Sequence, residues 1–208
     1  MTEELVVRVK ICGVTRRDDI EIAVDAGADA IGLNLWPGSR RYVSPEVASD
    51  LRSAIPARVL AIGVFVDAAP EEVISLADRL GLDRVQLHGS ESPAVVERVG
   101  PRALKAFRLV DAGTLTLIEA YPGDELLVDA HVPGMPGGTG RPANRALARR
   151  AAGLGRMWLA GGLDPSNVAE AVREVRPYGV DVAGGVESAP GIKDEALVRA
   201  FVRAARSA

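Results

Sequence analysis

A chain of 208 residues with a formal net charge of -3, 48% hydrophobic and only 4% aromatic, suits one α/β domain and offers no electrostatic case for nucleic acid. One cysteine excludes an intrachain disulfide and fits a reducing compartment. The acidic start and the want of about 18 uninterrupted apolar residues argue against a secretory signal and a membrane span, so a soluble, cytoplasmic protein is expected.

From the N-terminus, a β-rich run (VVRVKIC, 6–12) leads to an amphipathic helix (16–28), a second run (AIGLNL, 30–35) to a helix at 44–55, and a third (VLAIGVFV, 59–66) to a helix at 69–81. The pattern continues with RVQLHG (84–89) and a helix at 92–100, then ALKAFRL (103–109) and a weak helix at 114–121. ELLVDA (125–130) precedes a helix at 144–155, MWLAGG (157–162) one at 165–175, and VDVAGG (180–185) a last one at 193–206. Ser44-Pro45, Ser92-Pro93 and Pro165-Ser166 mark helix starts, and Gly27, Gly81, Gly100 and Gly155 fall near helix ends. Eight strands alternating with eight helices predict parallel pairing and a single-domain (β/α)8 barrel over residues 1–208. The rival is an open doubly wound sheet, but no GxGxxG turn follows the first strand.

Barrel sites sit at the C-terminal ends of the strands. Residues with chemistry fall there: Cys12, Arg41, Asp67, His88, Arg108, Asp129 and the pairs Gly161-Gly162 and Gly184-Gly185. Alternation sends Lys10 with Cys12, Gln86 with His88, and Leu127 with Asp129 into the barrel. A buried ammonium beside a thiol should favour the thiolate and make it a better base. Cys12 could also be core filler, since free cysteine is commonly buried, and Asp129 could merely cap a strand end. The two glycine pairs suggest a phosphate cradle of backbone N–H groups, strengthened by a helix start after the eighth strand. A side chain at Gly185 should therefore block the ligand with little effect on the fold, while Gly184→Ser should be tolerated. Residues 131–140, rich in Gly and Pro, could form a lid. Two histidines without ligand spacing give no metal site.

KICGVT, GVFV, QLHG, LLVDA, PGGTG, LAGGLDPSNV and GVDVAGGVESAPGIKD, in that order, resemble the phosphoribosylanthranilate isomerase family over nearly the whole chain. The resemblance implies a cofactor-free Amadori rearrangement of phosphoribosylanthranilate in tryptophan biosynthesis. It makes Cys12 the general base and Asp129 the general acid, and gives Arg41 the anthranilate carboxylate. Lys10, His88, Asp181 and Gly161, Gly162, Gly184 and Gly185 complete the expected binding set, with the phosphate opposite Arg41. The chain departs from the family pattern at Ala183-Gly184, where serines are usual, at Ala143-Asn144-Arg145, where an aromatic residue and Asp-Trp are usual, and at Arg40, which replaces proline. Related phosphosugar barrels use an aspartate pair with a metal, or extra lysines and a longer N-terminus, and neither feature is present. A binding barrel without turnover is the rival of another class. Monomer and homodimer both stay open.

Overall fold

A computed structural model describes residues 7–130 and 142–208, and the proposed lid at 131–140 lies outside them. Among the described residues, eight parallel strands close into a barrel in sequential order: β1 (Arg8–Cys12), β2 (Ala30–Asn34), β3 (Leu60–Phe65), β4 (Arg84–Leu87), β5 (Ala103–Arg108), β6 (Glu125–Asp129), β7 (Arg156–Ala160) and β8 (Gly179–Val182). Pairing of β1 with both β2 and β8 closes the ring. Around it run α1 (Arg17–Ala26), α2 (Pro45–Ala54), α3 (Pro70–Leu80), α4 (Pro93–Val99), α5 (Gly113–Glu119), α6 (Pro142–Ala151), α7 (Val168–Val175) and α8 (Glu195–Arg206). The open-sheet rival is excluded by the closure, and no described helix is long and apolar enough to cross a membrane.

Two apolar cores follow from strand alternation. Outward residues such as Val9, Ile11, Ile31 and Val85 pack under the helices, whereas Ala30, Ile62, Leu104, Leu127 and Trp158 fill the barrel itself. Helix periodicity supplies the other half of the outer core. In α8, Val198, Phe201, Val202 and Ala205 fall on one buried stripe, each large side chain contributing about 1.5–3 kcal/mol of burial. Asp194 caps that helix by accepting from Leu197 N at 2.9 Å, and Ser44 caps α2 by accepting from Val47 N at 3.3 Å.

Three local readings are corrected. Pro165-Ser166 does not open α7, which starts at Val168. Asp164 instead gathers Ser166 into a turn, accepting from its N at 2.7 Å and its Oγ at 2.5 Å. Lys193 is not the first residue of the last helix. It belongs to a hairpin made by β9 (Glu187–Ala189) and β10 (Ile192–Lys193), which stands between β8 and α8. The expected helix start after β8 is only a single 3-10 turn at Gly184–Val186, too short to carry a useful helix dipole. At the other altered segment, Arg145 of α6 reaches Glu170 and Glu174 of α7, both at 2.9 Å. Ion pairs thus tie these helices together where an aromatic side chain was expected.

Candidate active site

The barrel interior turns from apolar to polar toward the C-terminal ends of the strands. Lys10 is fully buried and crosses from β1 to β4, where its Nζ donates to Gln86 Oε1 at 2.5 Å. It also pairs with Asp181 Oδ2 on the neighbouring β8 at 3.3 Å. The Gln86 oxygen is thereby taken, so its amide nitrogen faces His88 Nδ1 at 2.6 Å. Nδ1 must accept, which leaves the imidazole proton on Nε2. Desolvation by the surrounding walls and the nearby Lys10 charge both push the His88 pKa down, and a neutral ring suits this tautomer. Asp181 Oδ1 is buried and has no hydrogen-bond partner among the described residues. Such an oxygen is costly unless a ligand satisfies it.

Cys12 ends β1 and is half-buried. Its thiol projects over Gly32 of β2: a Cβ there would lie 2.7 Å from Sγ and 3.1 Å from Lys10 Cε. Gly32 therefore keeps the hollow that the thiol occupies. Sequence reading missed this residue, although its inward place in AIGLN marks it. Lys10 and Lys193 draw the Cys12 thiol toward its thiolate, as expected of neighbouring ammonium groups. Burial outweighs them, and the thiol pKa is raised. The ammonium therefore acts in the expected direction, and burial, which strand parity does not weigh, sets the net one. Lys10 in turn is pulled down by burial, but Asp181 and Cys12 more than offset that, and its pKa is raised.

Gly13, next in the chain, has φ 71°, and a Cβ on it would collide with the aliphatic stem of Arg41. The glycine of KICG thus serves both its own left-handed backbone and the seating of an arginine from the β2–α2 loop. The Arg41 guanidinium grips Glu187 in a two-bond fork, Nε to Oε1 and Nη2 to Oε2, both at 2.7 Å. Its charged form is favoured first by those hydrogen bonds.

Asp129 ends β6, three strands round from Cys12, and pairs in register with Arg108 of β5 and Ala160 of β7. A cavity of about 340 Å³ opens beside it, lined by His88, Gly89, Ser90, Phe107, Arg108 and Asp129. Asp67 lies outside that cavity. It holds a φ of 52° and accepts from Ser90 N at 2.6 Å, bracing the β3 and β4 loops.

The glycine loops need two corrections. Gly184 does not lie across the mouth from Arg41, because a Cβ on it would sit 3.3 Å from Arg41 Nη2. Gly185 presses on the β7 loop, where a Cβ would collide with the Leu163 carbonyl. A valine there would disturb the loops themselves, so the expectation of little effect on the fold fails, whereas a side chain at Gly184 asks Arg41 Nη2 to give by only a few tenths of an ångström. Gly161 and Gly162 carry φ of 99° and 69°, and Asn167 Nδ2 donates to Gly162 O at 2.9 Å. The β7 and β8 glycine loops thus form one joined rim. No group of three or more metal-ligating side chains occurs among the described residues.

A closed eight-stranded barrel with a thiol, an imidazole, two carboxylates and an arginine at the C-terminal mouth defines an enzyme of the (β/α)8-barrel class. The profile of the family described as N-(5'phosphoribosyl)anthranilate (PRA) isomerase matches residues 9–204. The N-(5'-phosphoribosyl)anthranilate isomerase of Geobacter sulfurreducens is 48% identical over 200 residues, 96% of this chain and 98% of its own. The crystal structure of the phosphoribosyl anthranilate isomerase from Thermotoga maritima superposes with TM-score 0.87 at 36% identity, covering 97% of this chain and all of that one. Another such enzyme, in complex with reduced 1-(O-carboxyphenylamino)-1-deoxyribulose 5-phosphate, gives TM-score 0.84 at 34% identity and covers 97% of this chain and 100% of that one. The chain belongs to the phosphoribosylanthranilate isomerase family, and its activity is that isomerisation in tryptophan biosynthesis.

Proposed function

We propose that Cys12 and Asp129 carry the isomerisation of phosphoribosylanthranilate as base and acid, acting on opposite sides of a substrate seated in the mouth. Asp129 gives a proton to the ribose ring oxygen as the C1–O bond breaks, and the nitrogen lone pair forms an iminium ion. The iminium acidifies the C2–H, whose proton passes to the Cys12 thiolate while the electron pair forms the enolamine. Protonation at C1 and loss of the hydroxyl proton at C2 give the aminoketone, so no atom is gained or lost. Arg41 offers the free part of its fork to the anthranilate carboxylate. His88 Nε2–H, Lys10 and the unpartnered Asp181 oxygen are the groups that address the sugar hydroxyls. The phosphate rests on the amides of Gly161, Gly162, Gly184 and Gly185, now adjacent to Arg41. In this reading the enzyme works in the cytoplasm, as monomer or homodimer.

The observation that carries this reading is the placing of the thiol and the carboxylate on strands three apart in a closed barrel, both at its C-terminal end. Its test is the loss of substrate fluorescence when freshly made phosphoribosylanthranilate is added. Wild-type protein turns it over, and Arg41→Ala raises the Michaelis constant by more than it weakens inhibition by inorganic phosphate. No turnover by folded wild-type protein refutes the reading. Equal weakening of substrate and phosphate in Arg41→Ala would move Arg41 to the phosphate site.

A further inference from the structure

Arg41 does not stand alone. Glu187, whose side chain is only 5% exposed, spends both carboxylate oxygens on neighbours. Besides the two bonds from Arg41, Oε1 accepts from Lys193 Nζ at 2.8 Å and from Gly191 N at 3.3 Å. The Lys193 side chain is fully buried, and its ammonium also donates to Cys12 O at 2.7 Å and Ala183 O at 3.2 Å. One short chain of contacts therefore runs from the backbone of the proposed base, through Lys193 and Glu187, to the proposed carboxylate anchor.

Charge gives this chain a direction. An Arg41–Glu187 pair by itself is neutral and would attract an anion weakly. Lys193 brings the trio to one net positive charge, so the attraction for a substrate carboxylate survives. Burial acts to raise the Glu187 pKa, but Arg41 and Lys193 overcome it and hold the carboxyl below its ordinary value. Geometry adds a second consequence. Glu187 takes Nε and one Nη2 proton, and no described residue accepts from Nη1. The outer edge of the guanidinium is left to a ligand with its long stem already fixed against Gly13. Ordering done beforehand is not charged to binding.

We propose that Glu187 and Lys193 are positioning residues, which aim the open edge of Arg41 at the substrate carboxylate and tie that anchor to the backbone of Cys12. The proposal rests on the reading of Arg41 given above and adds the device that holds it. The opposite possibility is definite: Glu187 could be a stand-in for the substrate carboxylate, to be displaced when substrate arrives.

The experiment is a double-mutant cycle on the full chain, after wild-type turnover has been established. Wild-type, Glu187→Gln, Arg41→Ala and the double variant are titrated calorimetrically with the reduced aminoketose phosphate and, separately, with inorganic phosphate. Their turnover is measured alongside. Glu187→Gln adds one positive charge to the trio, which alone would favour the analogue, but loosening the fork that fixes Arg41 should outweigh it and weaken the carboxylate-bearing analogue about tenfold. The Michaelis constant should rise in step, with kcat and phosphate affinity little changed. In the Arg41→Ala background the same substitution should add nothing, because Glu187 acts through Arg41. Tighter analogue binding by Glu187→Gln would establish the stand-in instead. No change, additive effects, or equal weakening of phosphate would also overturn the proposal. Should Glu187→Gln not fold, Glu187→Asp, which keeps the charge but draws the carboxylate back from the Arg41 fork, carries the same cycle, with the same expected and contrary results. A wild-type chain that neither turns over substrate nor binds the analogue refutes the functional reading, which is a separate outcome.

Discussion

The two ends of the barrel interior are built from similar groups and treat them in opposite ways. At the floor, Trp158 is fully buried and its Nε1 donates to Glu125 Oε1 at 3.0 Å. Glu125 Oε2 is met by Arg84 Nε at 3.0 Å and Arg156 Nη2 at 3.5 Å. Tyr178 stands edge-on to Trp158 at 5.5 Å, with the Arg8 and Arg156 guanidinium groups over its ring at 5.3 and 5.8 Å. A Cβ at Gly179 would meet the indole at 2.5 Å, so glycine there makes room for the plug. Every buried side-chain polar atom described at this end has its partner. At the mouth, Asp181 Oδ1 has none, and Arg41 and His88 present open donors. Both ends obey the rule that buried polar groups seek partners. The floor satisfies it with protein atoms, and the mouth leaves places for a ligand.

This contrast can be broken from either end. The largest effect on stability is expected at the floor. Trp158→Ala should cost about 3–5 kcal/mol, since it removes the largest buried side chain and leaves Glu125 short of a donor. Chemical denaturation reads this, and the fraction that stays folded should keep its turnover rate. Lost turnover with unchanged stability would put Trp158 in the chemistry and blur the division.

A smaller and opposite pattern is expected from Gly32→Ala at the mouth. The added methyl must displace the Cys12 thiol, and a misplacement near 1 Å can cost on the order of 100-fold in rate. Its unfolding midpoint should shift far less than that of Trp158→Ala. Full activity in Gly32→Ala would show that the thiol does not need its hollow.

The smallest effect is a shift in pH dependence. Because burial raises the Cys12 pKa, the thiolate that the proposed base uses becomes populated at higher pH than an ordinary thiol's. The ratio kcat/KM should therefore climb through an alkaline limb. Lys193 lowers that pKa, so Lys193→Met should carry the limb to still higher pH. A limb moved to lower pH in that variant would contradict the sign of the interaction.

Much of this was legible in the sequence, and the reasons differ by region. Eight alternations of strand and helix fixed the barrel, because periods of 2 and 3.6 separate cleanly in runs such as VLAIGVFV and EALVRAFVRAAR. Parity sent Lys10, Cys12, His88 and Asp129 into the barrel, and their late places in their strands put them toward its C-terminal end. The hairpin of β9 and β10 was not legible, since GIKDEALV reads as an unbroken helix start until Lys193 is seen buried. Glu187 and Lys193 escaped for a different reason: their partners, Arg41 and Cys12, lie 146 and 181 residues away. Steric facts were hidden as well. GG suggests a cradle, but nothing in two letters reveals that Gly185 abuts the Leu163 carbonyl or that Gly184 neighbours Arg41.

In the proposed mechanism the mouth holds its open groups for proton transfer, with Cys12 as the base. The most direct measurement is kcat of Cys12→Ser on phosphoribosylanthranilate, taken with the unfolding midpoint and phosphate affinity of the same preparation. A hydroxyl is far less acidic than a thiol, so kcat should fall by about 10²–10⁴ while midpoint and phosphate affinity stay near wild type. Near-wild-type turnover in a folded Cys12→Ser protein would return the thiol to core filler and contradict the account.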